Sequence, residues 1–344
     1  MTAMPLNHEP KSNAWTADFT IDCLVFAQFG IQAKNGMNPE KYMEQFLQAF
    51  TNPNGPVHVD RAIHQDIDEY VNHIFLAYWD NKESFENWNS TSPIAKYWDE
   101  SAAPVEEIGL WREILFIPND HIETLHSGEN YDSGVSNFLP LTYTKVHEYW
   151  GSMRDRLKAS RLESFETEYD KEMLEPVHVE SIGKRIRIYP SDNICLIRTA
   201  QNWSQCSNEE RNTYLELVEP TLKEGAEYIR QNPSETGCLS SKFVYELALN
   251  GDSLDKSCTI AYFLSLAHLE EWAKSHPSHL KIYHTFFEML QMHNYATELA
   301  LWHEVSVLKT DQAIFEYMNC HSSTGLLKFT NLFDAKVYPH MKGN

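Results

Sequence analysis

The sequence predicts an α+β fold made of two copies of one β-α-β-β-type unit. Short apolar, β-prone segments alternate with helical patterns, and both halves of the chain have them in the same order. Helical spacing of apolar residues occurs at 39–50 and at 208–229, where Pro220 is expected to break the helix. The predicted strands are Cys23–Gly30, His73–Trp79 and Trp111–Ile117 in the first half and Ile194–Thr199, Thr259–Leu264 and Trp302–Leu308 in the second.

Matching positions support an internal duplication. A tryptophan stands five residues before a proline in each half, at Trp88 and Trp272, and Trp-Arg-Glu-Ile at 111–114 matches Trp-His-Glu-Val at 302–305. Two such units pack their sheets face to face or close them into a barrel with the helices outside. The sequence therefore predicts one domain over 1–344, with repeats at about 20–118 and 191–310 and an intervening segment, 119–190, that resembles an insertion or linker. Chance similarity of amphipathic segments is the alternative.

Composition restricts the partners and the compartment. The chain has 344 residues and a formal net charge of −21, which argues against binding nucleic acid or an anionic membrane surface. Hydrophobic residues make up 42%, enough for a core, and no apolar run has the length of a membrane span. The start has no signal-peptide pattern and the six cysteines form no C-x-x-C pair, so a cytoplasmic location is expected.

Two histidines distinguish the second half from the first. His279 corresponds to Ala95, and His303 corresponds to Arg112. Imidazole is both a common metal ligand and the usual acid or base near pH 7. His303 and Glu304 point to opposite faces of a strand and cannot share a metal. His279, among aromatic neighbours, suits the proximal side of a haem better than a zinc site. A helix-start role for His279 and a core role for His303 remain open.

A third cluster combines aromatic residues with two arginines. The segment Glu148-Tyr-Trp-Gly-Ser-Met-Arg-Asp-Arg156 offers apolar walls and two guanidinium groups in a very acidic chain. Either Arg154 and Arg156 form surface ion pairs, or one of them binds an anionic or hydroxyl group of a ligand. Thr199 lies on the second-half counterpart of the Cys23 strand and adds a hydroxyl that is also a candidate.

Several motifs together resemble the haem-containing aldoxime dehydratases, especially the bacterial phenylacetaldoxime type. The resemblance covers nearly the whole chain, and its motifs are specific in combination although each is weak alone. They are Asn13-Ala-Trp-Thr16, His58-Val-Asp-Arg61, Glu123-Thr-Leu-His-Ser-Gly-Glu-Asn130, Glu148–Arg156, Ile197-Arg-Thr-Ala-Gln-Asn-Trp203, Ser275-His-Pro-Ser-His279, Leu301-Trp-His-Glu-Val305 and Asn319-Cys-His321.

The resemblance implies a lyase that converts R–CH=N–OH to a nitrile and water. The fold would be a barrel of duplicated ferredoxin-like units flanked by helices, with haem b bound in the second half. Ferrous haem would bind the oxime nitrogen, with a flavin as an activator. His279 is then the proximal iron ligand, His303 the distal general acid and then base, and Arg156 a partner of the substrate hydroxyl. Thr199 stands where some members have serine, and Glu123 is an auxiliary carboxylate.

Two other functions remain open from the sequence. A haem peroxidase or dismutase on a related barrel would also use a proximal histidine and a distal arginine. A haem sensor or carrier would ligate the iron with both His279 and His303. If the chain is an aldoxime dehydratase, its partner is a small-molecule aldoxime, and the protein is expected to be a monomer or a homodimer.

Overall fold

The computed structural model describes residues 3–34, 36–66, 68–98, 108–129 and 134–339. All strand pairs in this part of the chain are antiparallel and belong to one sheet. The strands are Ala14–Ala17 (β1), Cys23–Lys34 (β2), His58–Gln65 (β3), Tyr70–Trp79 (β4), Gly109–Pro118 (β5), Ile122–His126 (β6), Leu141–Thr144 (β7), Lys184–Tyr189 (β8), Ile194–Asn202 (β9), Cys238–Leu247 (β10), Ser253–Phe263 (β11), Ala300–Leu308 (β12), Ala313–Met318 (β13) and Asp334–Pro339 (β14).

The helices lie between these strands. None of those in the described part of the chain combines the length and apolar character needed to cross a bilayer. They are Glu40–Phe50 (α1), Lys82–Thr91 (α2), Ser152–Arg156 (α3), Asn208–Thr213 (α4), Glu219–Gln231 (α5), Pro233–Thr236 (α6), Leu266–Ser275 (α7) and Pro277–Met292 (α8).

The sheet contains two units with the same topology. Its order is β14-β8-β13-β5-β2-β4-β3-β10-β11-β9-β12-β6-β1-β7. The first unit contributes β5-β2-β4-β3 and the second contributes β12-β9-β11-β10, so corresponding strands occupy corresponding places. This is the ferredoxin-like β-α-β-β-α-β pattern. The units join where β3 pairs with β10, Ile63 opposite Tyr245 and Ala62 opposite Glu246. The predicted α+β class with duplicated ferredoxin-like units is confirmed.

Each of the six predicted strands overlaps an observed one, but the sequence analysis missed the second strand of each unit, β3 and β10. The segment 119–190 is more than a linker: it contributes β6, β7 and β8 to the sheet. The tail after Phe329 forms β14, which pairs with β8. The extra strands therefore extend the sheet beyond the two units on both sides.

The expected helix break at Pro220 is wrong. The chain continues from α4 through a π-helical turn, Tyr214–Val218, directly into α5. Pro220 thereby falls in the first turn of α5. Proline lacks an N–H, and the first turn of a helix does not need that donor. A single π-helical turn absorbs the change in register without ending the helix.

One apolar core lies inside the curled sheet and draws on both units. Phe26 and Leu76 of the first unit belong to the same buried cluster as Val244 and Ile260 of the second. Hydrogen bonds also cross this interior: Gln28 Nε2 donates to the Tyr262 hydroxyl at 2.8 Å. The helices cover the outer faces, with α1 and α2 on the first unit and α5, α7 and α8 on the second. The arrangement is a barrel-type core flanked by helices.

Gly30 is predicted to be intolerant of any side chain. A Cβ at this position would lie 1.9 Å from the buried indole of Trp111, its direct neighbour across β2 and β5. Gly30→Ala is therefore expected to lower the free energy of unfolding by about 1–3 kcal/mol, the usual cost of overpacking a core. Urea denaturation measures the change. In a Trp111→Phe background the same alanine should cost less, and an equal cost in both backgrounds would rule out the clash.

Candidate active site

A fully buried carboxylate joins two of the predicted site residues. Glu123 of β6 accepts a hydrogen bond from Arg156 Nε at 2.5 Å through Oε2, and its Oε1 lies 3.0 Å from His303 Nε2. Arg156 Nη2 lies 3.1 Å from the same imidazole nitrogen. Arg156 Nη1 donates to the Val146 carbonyl at 2.6 Å. The guanidinium is thus held at several points, and its side chain is 4% exposed.

Strand pairing brings a hydroxyl next to the imidazole. His303 on β12 lies directly opposite Thr199 on β9, and Cβ atoms of opposite residues in antiparallel strands are about 4.5–5.5 Å apart. Side chains alternate along a strand. Trp302 belongs to the interior core, so His303 projects from the outer face of the sheet. Glu123 on β6 lies opposite Val305, two residues after His303 on β12, and shares that face. The structure therefore gathers His303, Glu123, Arg156 and Thr199.

The local turn before α3 explains how Arg156 enters this group. Gly151 has φ +98°, a conformation that favours glycine, and a Cβ there would lie 2.6 Å from the Ala3 side chain. Glu148, three residues earlier, also has a positive φ and accepts hydrogen bonds from the backbone N–H groups of Lys11 and Ser12. The N-terminal segment is thereby tied to the loop that carries Arg156.

The two arginines of the Met-Arg-Asp-Arg motif have different roles. Arg154 pairs with Glu270 at 2.8 Å, and more than a quarter of each side chain is exposed to solvent. It matches the surface ion-pair interpretation. Arg156 is the buried one and faces the cluster. Surface pairs of the first kind contribute little to stability, whereas breaking a buried pair leaves an uncompensated charge.

Glu123 and Arg156 both contact His303 Nε2, and only one of these contacts can be a hydrogen bond at a time. Burial would raise the pKa of Glu123, but Arg156 and His303 outweigh it and hold that pKa below its ordinary value. When His303 Nε2 carries a proton, it can donate to Glu123, and Arg156 then faces a like charge. When Nε2 is unprotonated, it can accept from Arg156, and Glu123 Oε1 loses its donor. The carboxylate favours the protonated ring and the guanidinium favours the neutral one.

His279 lies in the first turn of α8, after the capping residue His276 and Pro277. Its ring packs edge-on against Trp272, with centroids 4.7 Å apart. Burial lowers the pKa of His279 to about 4, and the Ala273 carbonyl offsets this only in part. Nδ1 is buried and makes no hydrogen bond of ordinary geometry, although the Ala273 carbonyl lies close enough to affect the pKa. The ring is therefore neutral near pH 7.

A neutral, unpartnered imidazole fits the axial ligand of a haem iron. The surrounding packing is compatible with this. Phe286 and Met289 of α8 pack with Leu301 on one part of the outer face, and Trp272 of α7 packs near Val305 on another. Among the described residues, His279 makes no hydrogen bond or ring contact with the other predicted site residues, so its place in the site rests on this fit.

Two features of the site were not foreseen from the sequence. The Val146 carbonyl, which accepts from Arg156, has no side-chain signal. His126 is buried at the end of β6, stacks on Trp302, and has no hydrogen bond at either ring nitrogen. Burial, followed by repulsion from His303, lowers the pKa of His126 to about 4. The His-Ser-Gly sequence at 126–128 was part of a recognised motif, but nothing in its spacing separated this histidine from the others.

Comparison with known proteins identifies the class. A profile of the haem-containing dehydratase family matches residues 27–326. The chain belongs to that family, which confirms the resemblance inferred from the motifs and the expectation of a haem cofactor.

Two relatives and one solved structure resemble the chain over almost its full length. Phenylacetaldoxime dehydratase of Bacillus sp. (strain OxB-1) is 51% identical over 334 residues, 96% of this chain and 95% of the relative. Aliphatic aldoxime dehydratase of Rhodococcus globerulus is 32% identical, covering 94% of this chain and 93% of the relative. The crystal structure of an aldoxime dehydratase in complex with butyraldoxime superposes with a TM-score of 0.85 at 30% identity, covering 95% of this chain and 92% of that one.

Glu123→Gln is predicted to destabilise the protein by about 3 kcal/mol at neutral pH, because Arg156 is left buried without a counter-charge. The matched control Glu270→Gln, which breaks the partly exposed pair with Arg154, should cost less than about 1 kcal/mol. Urea unfolding measures both.

The pH dependence gives a second criterion for the same variant. Folding lowers the pKa of Glu123. The stability that Glu123 contributes is therefore complete above pH 4.5, its pKa in the unfolded chain, and is lost as the pH falls through its pKa in the folded protein. The difference between wild type and Glu123→Gln should therefore shrink below pH 4.5. A difference that stays constant into acid would contradict the ion-pair explanation.

Proposed function

We propose that this protein dehydrates aldoximes, R–CH=N–OH, to nitriles and water, with haem b as its cofactor. The observation that carries the proposal is the buried cluster in which Glu123 contacts both Arg156 and His303, with Thr199 opposite the imidazole. Such a cluster can deliver a proton, accept one and orient a hydroxyl group. The relatives named above, which are aldoxime dehydratases, support the same activity.

The residues also fit the cofactor. His279, neutral and without a hydrogen-bond partner at its buried nitrogen, is the proposed proximal ligand. Bound ferrous haem would supply an iron that coordinates the oxime nitrogen and pushes electron density toward the N–O bond. We propose the ferrous state as the active one and a flavin as an activator.

His303 is the proposed acid and base. Hydroxide is a poor leaving group, so a proton must reach the oxime oxygen as the N–O bond breaks. Protonated His303 would donate it, water would leave, and the neutral ring would then take the proton from carbon. Nε2 faces Glu123 and Arg156, whereas Nδ1 makes no hydrogen bond among the described residues. We therefore propose Nδ1 as the atom that exchanges protons with the substrate.

The remaining residues orient the substrate and set the protonation of His303. Arg156 and Thr199 would hold the hydroxyl near the imidazole, which converts a chance encounter into a fixed geometry. Glu123 stabilises the protonated ring, while Arg156 limits that preference because it carries a like charge. The same ring can then lose and regain a proton within one reaction cycle.

The cytoplasm is the proposed location. All six cysteines are free, and Cys195, Cys238, Cys258 and Cys320 are buried, as suits a reducing compartment. A monomer or a homodimer is the proposed assembly. Light scattering of the haem-loaded protein distinguishes the two.

Two histidine variants test the function directly. Protein reduced anaerobically with dithionite should convert phenylacetaldoxime to phenylacetonitrile, and the oxidised protein should not; a parallel reaction with a flavin tests activation. His279→Ala should lose the haem absorbance. His303→Ala should keep haem and bind aldoxime, yet form nitrile about 10²–10⁴-fold more slowly.

The exposed His284 lies on the same helix as His279, and His284→Ala is the matched control that should retain both haem and activity. Normal turnover by His303→Ala would remove the acid–base role. A six-coordinate, bis-histidine ferrous spectrum without nitrile formation would favour the sensor or carrier, and turnover of peroxide alone would favour the peroxidase.

Thr199→Ala should slow nitrile formation about 2–10-fold. A single neutral hydrogen bond contributes about 0.5–1.5 kcal/mol, and the substitution removes one donor without disturbing strand pairing. Thr199→Ser keeps the hydroxyl and should stay close to wild type. Steady-state kinetics of the three proteins check this, and an alanine variant as fast as wild type would place Thr199 outside the site.

A further inference from the structure

We propose that a polar cavity at one end of the barrel binds a small oxyanion, such as inorganic phosphate or a short carboxylate. The cavity opens to solvent, and together with its mouth it has a volume of about 420 Å³. It lies where the end of β2, the end of β3 and the start of β4 approach the start of β10. Its lining includes three cationic side chains and several amide and hydroxyl groups, among them Lys242, Lys328, Arg230, Gln32, Ser240 and Ser241.

Lys242 has unused hydrogen-bonding capacity. Its side chain is 9% exposed, and Nζ makes no hydrogen bond. The nearest carboxylate oxygen, Oε2 of Glu113, is 3.6 Å away, too far for a hydrogen bond, and it has no hydrogen-bond partner either. The ammonium also lies 4.7 Å from the ring centre of Trp111. A buried ammonium group carries three donors, and leaving them unmade is costly.

The other two cations strengthen the positive character of the cavity. Arg230 pairs with Glu227 through Nε and Nη2, and Lys328 Nζ donates to the Arg230 carbonyl at 3.2 Å. Burial above all, and then the nearby Arg230 and Lys242, lower the pKa of Lys328 to about 8, although Cys238 and Glu227 oppose them. The cationic groups are close enough to repel one another, and an anion between them would relieve that repulsion.

The acidic group in the lining is already engaged. Asp66 contacts His321 Nε2 at 2.8 Å and accepts from the backbone N–H groups of Asp68 and Tyr70. Burial lowers the pKa of His64, whose Nδ1 contacts the Phe243 carbonyl at 2.8 Å, so it adds no charge near pH 7. The lining therefore carries three cationic side chains against one carboxylate, Asp66, while Glu113 and Glu227 pair with Lys242 and Arg230 from beside it.

The donor set selects an oxyanion over a metal ion. Ser241 Oγ is buried without a hydrogen-bond partner and, like Lys242, can donate to a phosphate or carboxylate oxygen. Asp66, Asp68 and His321 have metal-ligand spacing, but both nitrogens of His321 face the aspartates at 2.8 and 3.4 Å. The interior position of Lys242, beside the core residue Trp111, also separates this site from Thr199 and His303 on the outer face.

Thermal melting of the haem-loaded protein tests the proposal. Sodium phosphate, sulfate and acetate are titrated separately at an ionic strength kept constant with sodium chloride. A binding site predicts a melting temperature that rises and saturates with at least one oxyanion. Comparing the half-saturating concentrations distinguishes a phosphate site from a carboxylate site. A response no larger than that to chloride alone would overturn the proposal.

Opposite effects at two neighbouring residues make the test specific. Lys242→Met should weaken oxyanion binding at least tenfold, whereas Glu113→Gln, which removes the competing charge, should strengthen it severalfold. If Lys242 serves only as the counter-ion of Glu113, both variants will lower the melting temperature and leave the oxyanion response unchanged, which also overturns the proposal.

Ser241→Ala, a smaller change, should weaken binding about threefold even if Lys242→Met fails to fold. The surface variant Lys41→Met should match wild type.

Discussion

The structure depends on one arginine buried inside the barrel. Arg198 donates to Asp60 and to Glu246 at 2.8 Å each and to the Tyr78 hydroxyl at 2.6 Å, and its guanidinium lies 4.8 Å from the ring centre of Trp302. Asp60 and Tyr78 belong to the first unit, and the other two belong to the second. Removing either side of a buried pair costs about 3–5 kcal/mol, so these contacts hold the two units in one register. The short β3–β10 ladder alone would specify that register less strongly.

The alternation of strand residues links this interior network to the outer face. Arg198 precedes Thr199 on β9, and His303 precedes Glu304 on β12, which accepts from the Tyr78 hydroxyl at 2.8 Å. Fixing Arg198 and Glu304 inside therefore fixes Thr199 and His303 outside. A slip of one residue would exchange the faces and bring the imidazole into the barrel. The interior charges thus position the residues on which the proposed chemistry depends, although they do not contact them.

An element could be predicted when its residues show a pattern within a short stretch of sequence, and it could not when its residues depend on partners elsewhere in the chain. Strands such as β2 could be predicted because their apolar runs are local, and the duplication revealed their order. The strands β3 and β10 could not, because inward positions that a barrel normally fills with apolar residues carry Asp60, Glu246 and Lys242, whose counter-ions come from elsewhere in the chain. Comparison of the two halves singled out His279 and His303, and their surroundings in the sequence offered Arg156 and Thr199, while the resemblance added Glu123 and the roles of all five. Neither could supply the contact between Glu123 and Arg156, which requires a loop with two positive φ angles, nor the cationic cavity, which combines separate segments.

The two buried arginines differ in what surrounds them, and this difference explains why the outer face is suited to proton transfer. Inside the barrel, burial raises the pKa of Glu246 and Glu304, while Arg198 and His58 hold the pKa of Asp60 below its ordinary value despite burial. Each acid there either pairs with the arginine or tends to keep its proton, so the network resists changes in charge. On the outer face, Glu123 is shared between Arg156 and an imidazole. The guanidinium keeps its charge at all ordinary pH values, whereas an imidazole is the side chain suited by its chemistry to exchange a proton near neutral pH, and the fold leaves this one opposite the hydroxyl group of Thr199.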